Sequence, residues 1–311
     1  MIFPNPLIIG SRSSALAILQ AELVKKEIIK TFPDQYTEKN ILIKTFKTTG
    51  DKILDQKLID FGGKGLFTKE LEIALFNHEI HCAVHSTKDM ATTLPDGLKI
   101  VAYLPRENPA DAMISKGNLT LKELPKGAII GTASLRRTAQ ILLQRPDLTI
   151  KLVRGNVDTR LEKLNRGEYD ALIIAYAALI RKDMADRVSE VFDIEHFLPA
   201  VGQGVICIET LSDAKTNPIF ETLNDHQEAF LVELERCFMK KMDGSCRTPI
   251  AAYAKYIETD KVRFRGEVYK EDGSEKFIID EIILIKKAIE KVKKLSENLK
   301  DRIPTDIFLY E

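Results

Sequence analysis

The stretch Cys82-Ala83-Val84-His85-Ser86-Thr87-Lys88-Asp89-Met90 gathers groups that can do chemistry. Its first three residues read as the end of a short buried strand. An imidazole, two hydroxyls, a cation and a carboxylate then follow in succession. In an open α/β sheet, ligands lie in the crevice beyond the carboxyl ends of the strands. Such a crevice uses donors and a cation to hold an anion, and a carboxylate to steer a proton or a developing positive charge. The same residues also fit a solvated loop in which Asp89 caps a turn, so the surrounding chain has to decide.

The surrounding chain repeats one pattern. Leu7-Ile8-Ile9 leads into Gly10-Ser11-Arg12-Ser13-Ser14, Ile129-Ile130 into Gly131-Thr132-Ala133-Ser134-Leu135-Arg136-Arg137, and Ile150 to Val153 into Arg154-Gly155-Asn156-Val157-Asp158-Thr159-Arg160. Each reads as strand, turn, helix. Helix N-termini present unpaired N–H groups and a partial positive charge. Ser and Thr add donors, and the arginine fork suits carboxylate or phosphate. A single arginine is usually a surface ion pair. Arg12, Arg136, Arg137, Arg154 and Arg160 at equivalent places point to a cleft between two α/β domains that binds an anion with several negative groups.

The elements that position these residues follow from periodicity. A helix spans Ala15 to Thr31, with Leu16, Leu19, Leu23 and Ile28 on one face, and Pro33 stops it. Ile41 to Phe46 alternates as a strand, Thr48 to Asp51 is a turn, and Thr68 to Asn77 is a helix. Leu98 to Leu104 is a strand, and Pro105 to Asp111 is a polar hinge into the second domain. Helices run to Gln144 and Asn165, and Asp170 to Ala178 is a strand and its exit, closed by Arg181. Leu198 to Glu209 carries a strand back to the first domain, with Gln203 offering amide donor and acceptor. The expected domains are 1–104 with 199–222, 105–198, and 223–311. Two crossings make the first two a hinged clam. The third is a small α+β domain: helix Glu228 to Met239, strands Ala251–Tyr256, Val262–Val268 and Phe277–Leu284, and a last helix carrying Ile289, Val292, Leu295 and Leu299.

Composition narrows the function. The 311 residues are 44% hydrophobic and 30% charged, enough for two or three cores. Lys+Arg and Asp+Glu are 46 each, so no basic excess marks a nucleic-acid binder. Met1 to Ser14 has no basic segment and is broken by Pro4 and Pro6, and the longest apolar run, Ala171 to Ile180, is too short for a bilayer. These features predict a cytoplasmic protein without membrane or nucleic-acid partners. Cys82, Cys207, Cys237 and Cys246 lack zinc or redox spacing. Three read as small buried hydrophobes. Cys246, in Asp243-Gly244-Ser245-Cys246-Arg247-Thr248-Pro249, sits where its thiolate can be stabilised and reached. His78, His81 and His85 suggest a metal, but the strand at Ile80–Val84 breaks helical register, so none is assigned. Phe61-Gly62-Gly63-Lys64-Gly65-Leu66-Phe67 allows close backbone approach to a ligand. It lacks the Ser or Thr of a phosphate loop and equally fits a mobile surface loop.

Together these motifs resemble the hydroxymethylbilane synthase (porphobilinogen deaminase) family. The likeness runs from Leu7 to the C-terminal helix. It is dense at Gly62–Phe67, His85–Asp89, Gly131–Arg137, Arg154–Asn156 and Leu198–Gly204. The resemblance implies two domains built like periplasmic binding proteins plus the third domain, and probes of oligomeric state should find a monomer. It implies a dipyrromethane cofactor joined by a thioether to Cys246. The implied reaction couples four porphobilinogen molecules head to tail with loss of ammonia, and water then releases the linear hydroxymethylbilane. Each pyrrole carries an acetate and a propionate, which matches the arginine pattern. Loss of ammonia leaves an electron-poor azafulvene-type cation, and Asp89 matches the carboxylate that stabilises it. The resemblance assigns Lys88, Ser86, Thr132, Ser134, Arg136, Arg137, Arg154, Arg160 and Cys246 to the cofactor, and Arg12, Ser14, Lys64 and Gln203 to the substrate. The chain departs from the family's usual pattern at Ala91, Asp158, Ala178 and Arg247-Thr248. Asp158 could pair with a nearby arginine. None of these removes a group the chemistry needs.

Two other readings remain open at this level. One is a polycarboxylate-binding protein without chemistry, which leaves Cys246 and the third domain without a role. The other is an anion-responsive regulator, for which no basic DNA-reading helix is visible.

Overall fold

A computed structural model describes residues 1–52, 66–242, 244 and 248–304. Lys64 and Cys246 lie outside the described residues. The chain divides into two compact units, Met1–Glu107 with Val205–Ala229, and Asn108–Gly204 with Phe230–Glu311.

The first unit is built on a five-stranded mixed sheet. Its strands are β1 (Leu7–Arg12), β2 (Ile41–Phe46), β3 (Cys82–Ser86), β4 (Leu98–Tyr103) and β10 (Ile206–Leu211), in the order β2-β1-β3-β10-β4. The first three strands are parallel and β10 runs against β3 and β4. The parallel strands therefore deliver their carboxyl ends to one edge of the sheet. Helix α1 (Ala15–Thr31) follows β1 directly. Ser14 caps it, its Oγ accepting from the Ala17 N–H at 3.4 Å. The buried stripe of α1 is Ala17, Gln20, Ala21, Val24 and Ile28, while Leu19 and Leu23 are exposed. The expected leucine face is thus rotated: small alanines let the helix lie close to the sheet, and the leucines remain on its flank. The short α2 (Thr49–Lys52) occupies the expected turn, and α3 (Lys69–Phe76) covers the opposite face of the sheet through Leu71 and Leu75. Helix α7 (Asn217–Glu221) completes the core with Ile219 and Phe220.

The second unit holds a five-stranded sheet of matching order, β7-β6-β8-β5-β9. Its strands are β5 (Asp111–Ser115), β6 (Ile129–Gly131), β7 (Thr149–Lys151), β8 (Ala171–Ala175) and β9 (Glu190–Val191). Again three strands are parallel, and the fourth, β5, is antiparallel to β8. Helices α4 (Leu135–Gln144), α5 (Val157–Asn165) and α6 (Tyr176–Arg181) each begin where a parallel strand ends. Ser134 Oγ caps α4, accepting from Arg137 N–H at 3.4 Å, and Asn156 Oδ1 caps α5, accepting from Thr159 N–H at 2.9 Å.

Three features differ from the sequence expectation. Tyr176–Arg181 is helical; an apolar run such as Ala171–Ile180 does not by its periodicity distinguish buried strand from buried helix. The returning strand expected within Leu198–Glu209 starts at Ile206 and runs on to Leu211. And β5 lay hidden at the end of the expected hinge, because its first residue is a charged aspartate.

That aspartate is fully buried. Arg136 donates to Asp111 Oδ2 at 2.7 Å, and Arg137 donates to Oδ1 from Nε and Nη2 at 2.9 and 2.6 Å. Gln203 adds an amide donor at 3.1 Å. The guanidinium groups also donate to the carbonyls of Leu198 and Ile173. Burial alone would raise the Asp111 pKa, but the charges and hydrogen bonds of both arginines outweigh it and hold the carboxyl well below the usual range.

The same unit contains a three-stranded antiparallel sheet, β11 (Ile250–Glu258), β12 (Lys261–Tyr269) and β13 (Lys276–Leu284), with α8 (His226–Lys241) and α9 (Ala288–Lys300). Phe238, Phe264, Val262 and Val292 fill its core. Arg263 and Arg265 of β12 reach Glu195, at 2.9 and 3.2 Å, tying this sheet to the segment after β9.

Removing one partner of a buried charge cluster leaves the others uncompensated, at a cost of about 3–5 kcal/mol. Asp111→Asn is therefore expected to lower the melting temperature by roughly 10 °C. A depressed carboxyl stabilises the fold above the unfolded value of about 3.9 and ceases to as pH falls through its folded value. The melting-temperature gap between wild type and variant should thus narrow below about pH 4; a constant gap contradicts the assignment.

Candidate functional site

In the first unit the carboxyl ends of β1 and β3 converge on one small, partly open pocket lined by Arg12, Gln20, Phe67, Thr68, His85, Ser86 and Asp89, among others. Arg12 is the last residue of β1. Its guanidinium stands 4.3 Å over the Phe67 ring, and its Nη1 lies 3.9 Å from Asp89 Oδ2. That is a loose ion pair between partly exposed groups, so both remain able to meet a ligand. Asp89 is held by a single 3-10 turn, Thr87–Asp89, which springs from the end of β3 and is closed by Met90 N–H donating to the Thr87 carbonyl at 3.1 Å. Lys88 is on the same turn, half-buried. Ser86 is fixed from α1: Gln20 Nε2 donates to its Oγ at 2.8 Å, and that hydroxyl lies 3.1 Å from Gln20 Oε1. Ser14 serves chiefly as the α1 cap. His85 is buried and bonded to Glu209, and His81 accepts from Ile8 N–H through Nδ1. Burial lowers the His81 pKa. No metal-binding cluster is present among the described residues.

In the second unit the carboxyl ends of β6 and β7 carry Thr132, Ser134, Arg154 and Arg160. Thr132 Oγ1 accepts from Ser134 N–H at 3.2 Å, which shapes the turn into α4. Arg160 Nε donates to the Gly155 carbonyl at 2.8 Å, folding its guanidinium back over the loop. Gly155 has φ of +107°, a backbone setting that favours glycine. Arg154 is half-buried, its Nε is enclosed without a hydrogen-bond partner, and burial depresses its pKa. A buried, unpartnered guanidinium is costly unless an anion completes it. Arg136 and Arg137 differ: both are buried with their charge set against Asp111, although Arg136 Nε also lacks a partner. Gln203 is likewise buried, donating to the carbonyl of Pro109 at 2.7 Å. Asp158 pairs with Lys182 at 3.0 Å, and not with an arginine. Its charge is thereby offset without drawing on the anion-binding groups.

The fold defines a class: two α/β sheets of matching order, each with arginine and hydroxyl groups following its own parallel strand ends, and an α+β domain after them. Comparison with known proteins is specific. Residues 7–217 match the family described as porphobilinogen deaminase, dipyromethane cofactor binding domain, and residues 229–301 match its C-terminal domain. The chain is 42% identical over 305 residues to the porphobilinogen deaminase of Paracoccus denitrificans, covering 98% of this chain and 96% of that one. It is 45% identical to the Nitrobacter hamburgensis protein, with 86% and 84% covered, and 48% identical to that of Bacillus pumilus, with 85% of each covered. Among solved structures, the periplasmic aliphatic sulphonate binding protein SsuA from Escherichia coli aligns with TM-score 0.39 and 15% identity, over 77% of this chain and 71% of that one. The chain belongs to the porphobilinogen deaminase family.

Gln20 and Thr68 in the pocket wall, and Glu209 behind His85, escaped the sequence reading of the site. Gln20 had left a trace, as a polar residue inside the buried stripe of α1. Glu209 had left one too, as a carboxylate at the centre of an apolar strand.

Because Arg154 has no carboxylate partner among the described residues, Arg154→Leu should leave the melting temperature unchanged or raise it. The same change should raise KM by roughly ten- to a hundredfold, the worth of one charge-assisted hydrogen bond. A large loss of stability would show instead that Arg154 serves the fold.

Proposed function

We propose that this chain performs its family's reaction with Asp89 as the carboxylate that acts on the reacting pyrrole. The chain is a porphobilinogen deaminase, or hydroxymethylbilane synthase, a transferase of porphyrin and haem biosynthesis with a dipyrromethane cofactor-binding domain. The observation that carries the residue assignment is the placement of Asp89 beside Arg12 at the pocket in the first unit. The cationic side chain can take a substrate carboxylate while the anionic one is left to face the pyrrole N–H.

The residues present suit an acidic dipyrrole. The unpartnered Nε of Arg154 calls for an acceptor, and each pyrrole brings two carboxylates. Lys88, Ser86, Thr132, Ser134, Arg154 and Arg160 would hold that group, with Arg136 and Arg137 supporting the second-unit face from beneath and Cys246 as its point of attachment. When bound, it supplies the nucleophilic pyrrole carbon on which the chain grows. Arg12, Ser14, Lys64 and Gln203 are assigned to the incoming substrate: Arg12 through its partly exposed guanidinium, Ser14 by orienting α1, and Gln203 by fixing the loop it closes.

Asp89 then does two things. It accepts the pyrrole N–H hydrogen bond, which stabilises positive charge as the C–N bond to ammonia breaks. It also takes up protons as the new ring becomes aromatic. Arg12, 3.9 Å away, helps to orient it. We place this activity in a cytoplasmic monomer of three domains, 1–104 with 199–222, 105–198 and 223–311, with no nucleic-acid or membrane partner. No helix of the described residues is long and apolar enough to cross a membrane.

Asp89→Asn keeps shape and removes charge. Its kcat for porphobilinogen consumption should fall by about 10²–10⁴-fold with the melting temperature within about 1 °C of wild type. Turnover at the wild-type rate would remove Asp89 from the mechanism.

A further inference from the structure

Behind the pocket that Asp89 lines, the first unit buries a second set of titratable groups. His85, on β3, forms part of the pocket wall and is 5% exposed. Its Nε2 lies 3.1 Å from Oε2 of Glu209, on the neighbouring strand β10, and Glu209 is fully buried. The other oxygen of Glu209 is enclosed with no hydrogen-bond partner. Glu72, from α3, is near enough to feel the charges of both Glu209 and His85. Thr68 donates to its carboxylate at 2.6 Å, and burial, then the charge of Glu209, hold its pKa above the usual range against that hydrogen bond. Facing His85 are thus Glu209 from β10, Glu72 from α3, and Asp89 and Arg12 at the pocket, with Lys88 on its own segment.

A buried carboxylate with one open oxygen is expensive. A core of this kind would be cheaper if apolar, as buried ion pairs generally are. The reaction supplies a reason to keep it. Each coupling breaks the C–N bond, the electron pair leaving with ammonia. It forms a C–C bond from the electrons of the attacking ring. It then breaks the C–H bond at the carbon of the attacking ring that formed the new bond, and those electrons restore that ring's aromaticity. One proton is released into the pocket for each ring added, and Asp89 must be cleared of it before the next ring.

We propose that the His85–Glu209 pair is the proton acceptor behind Asp89. The proton passes from the ring carbon to Asp89, and across the pocket both residues line to His85. With Nε2–H directed at Glu209, Nδ1 is the nitrogen that receives it. Glu209 is a positioning residue: it fixes the tautomer and balances the imidazolium, as a carboxylate does behind a general base. The proposal rests on Asp89 working in this pocket, which Asp89→Asn tests separately through the plateau value of kcat.

The test compares two titrations of the purified holoenzyme. The chain has five histidines, so the ring proton resonances can be followed by NMR, with His85 identified by its loss in His85→Gln. In wild type, the pH at which the His85 ring titrates should coincide with the acidic limb of the kcat profile. Glu209→Gln should move both to lower pH together, by roughly 1–3 units. The proposal is overturned if the ring does not titrate between pH 5 and 9, if the limb lies elsewhere, or if the limb stays in place when the ring's titration moves. The wild-type coincidence decides the matter even where a variant fails to fold.

Discussion

The buried carboxylate of Asp111 is the point on which the second unit turns. It lies at the start of an inner strand, and two guanidinium groups and an amide converge on it from α4 and from the segment ahead of β10. Arg137 extends the cluster to the Ile173 carbonyl of β8, and Arg136 to that of Leu198. A charge so far from water is tolerable only because each oxygen is met by a charged donor. The cluster therefore fixes the register between strand, helix N-terminus and crossing segment. That register determines where Thr132 and Ser134 are presented.

The same cluster sorts the arginines. Five of them follow strand ends in the sequence, but they do not carry equal free charge. Arg136 and Arg137 have most of theirs set against Asp111. Arg12 is loosely paired with Asp89, and Arg154 has no carboxylate among the described residues. Neutral overall charge fits this picture, since a local field at the strand ends suffices to gather a polyanion without general attraction to nucleic acid.

Much of this was legible in the chain itself. The alternation of short apolar runs with Ser/Thr/Arg turns revealed both α/β sheets, because parallel strands must be followed by helices and those helices need caps. The strip His85–Asp89 stood out because five polar residues follow three buried ones. What stayed hidden was long-range pairing. Asp111 and its arginines are 25 and 26 residues apart, so no local pattern shows that two candidate ligand residues are committed to the core. Residues Tyr176–Ala178 continued an apolar run and were read as the strand's exit, whereas they open a helix. The leucines of α1 outweighed its alanines on paper, whereas close packing against a sheet selects the small side chains. Glu209 looked like one charge in a strand until β10 was placed beside β3.

The central claim is that Asp89 acts on an acidic chain that grows from a dipyrrole held covalently by Cys246. The intact mass of the purified protein, followed by peptide mapping, tests it most directly. The account predicts an excess equal to a two-pyrrole adduct, located on the peptide that contains Cys246, and its absence from Cys246→Ser. Protein that is unmodified as purified and gains no adduct on incubation with porphobilinogen would contradict it.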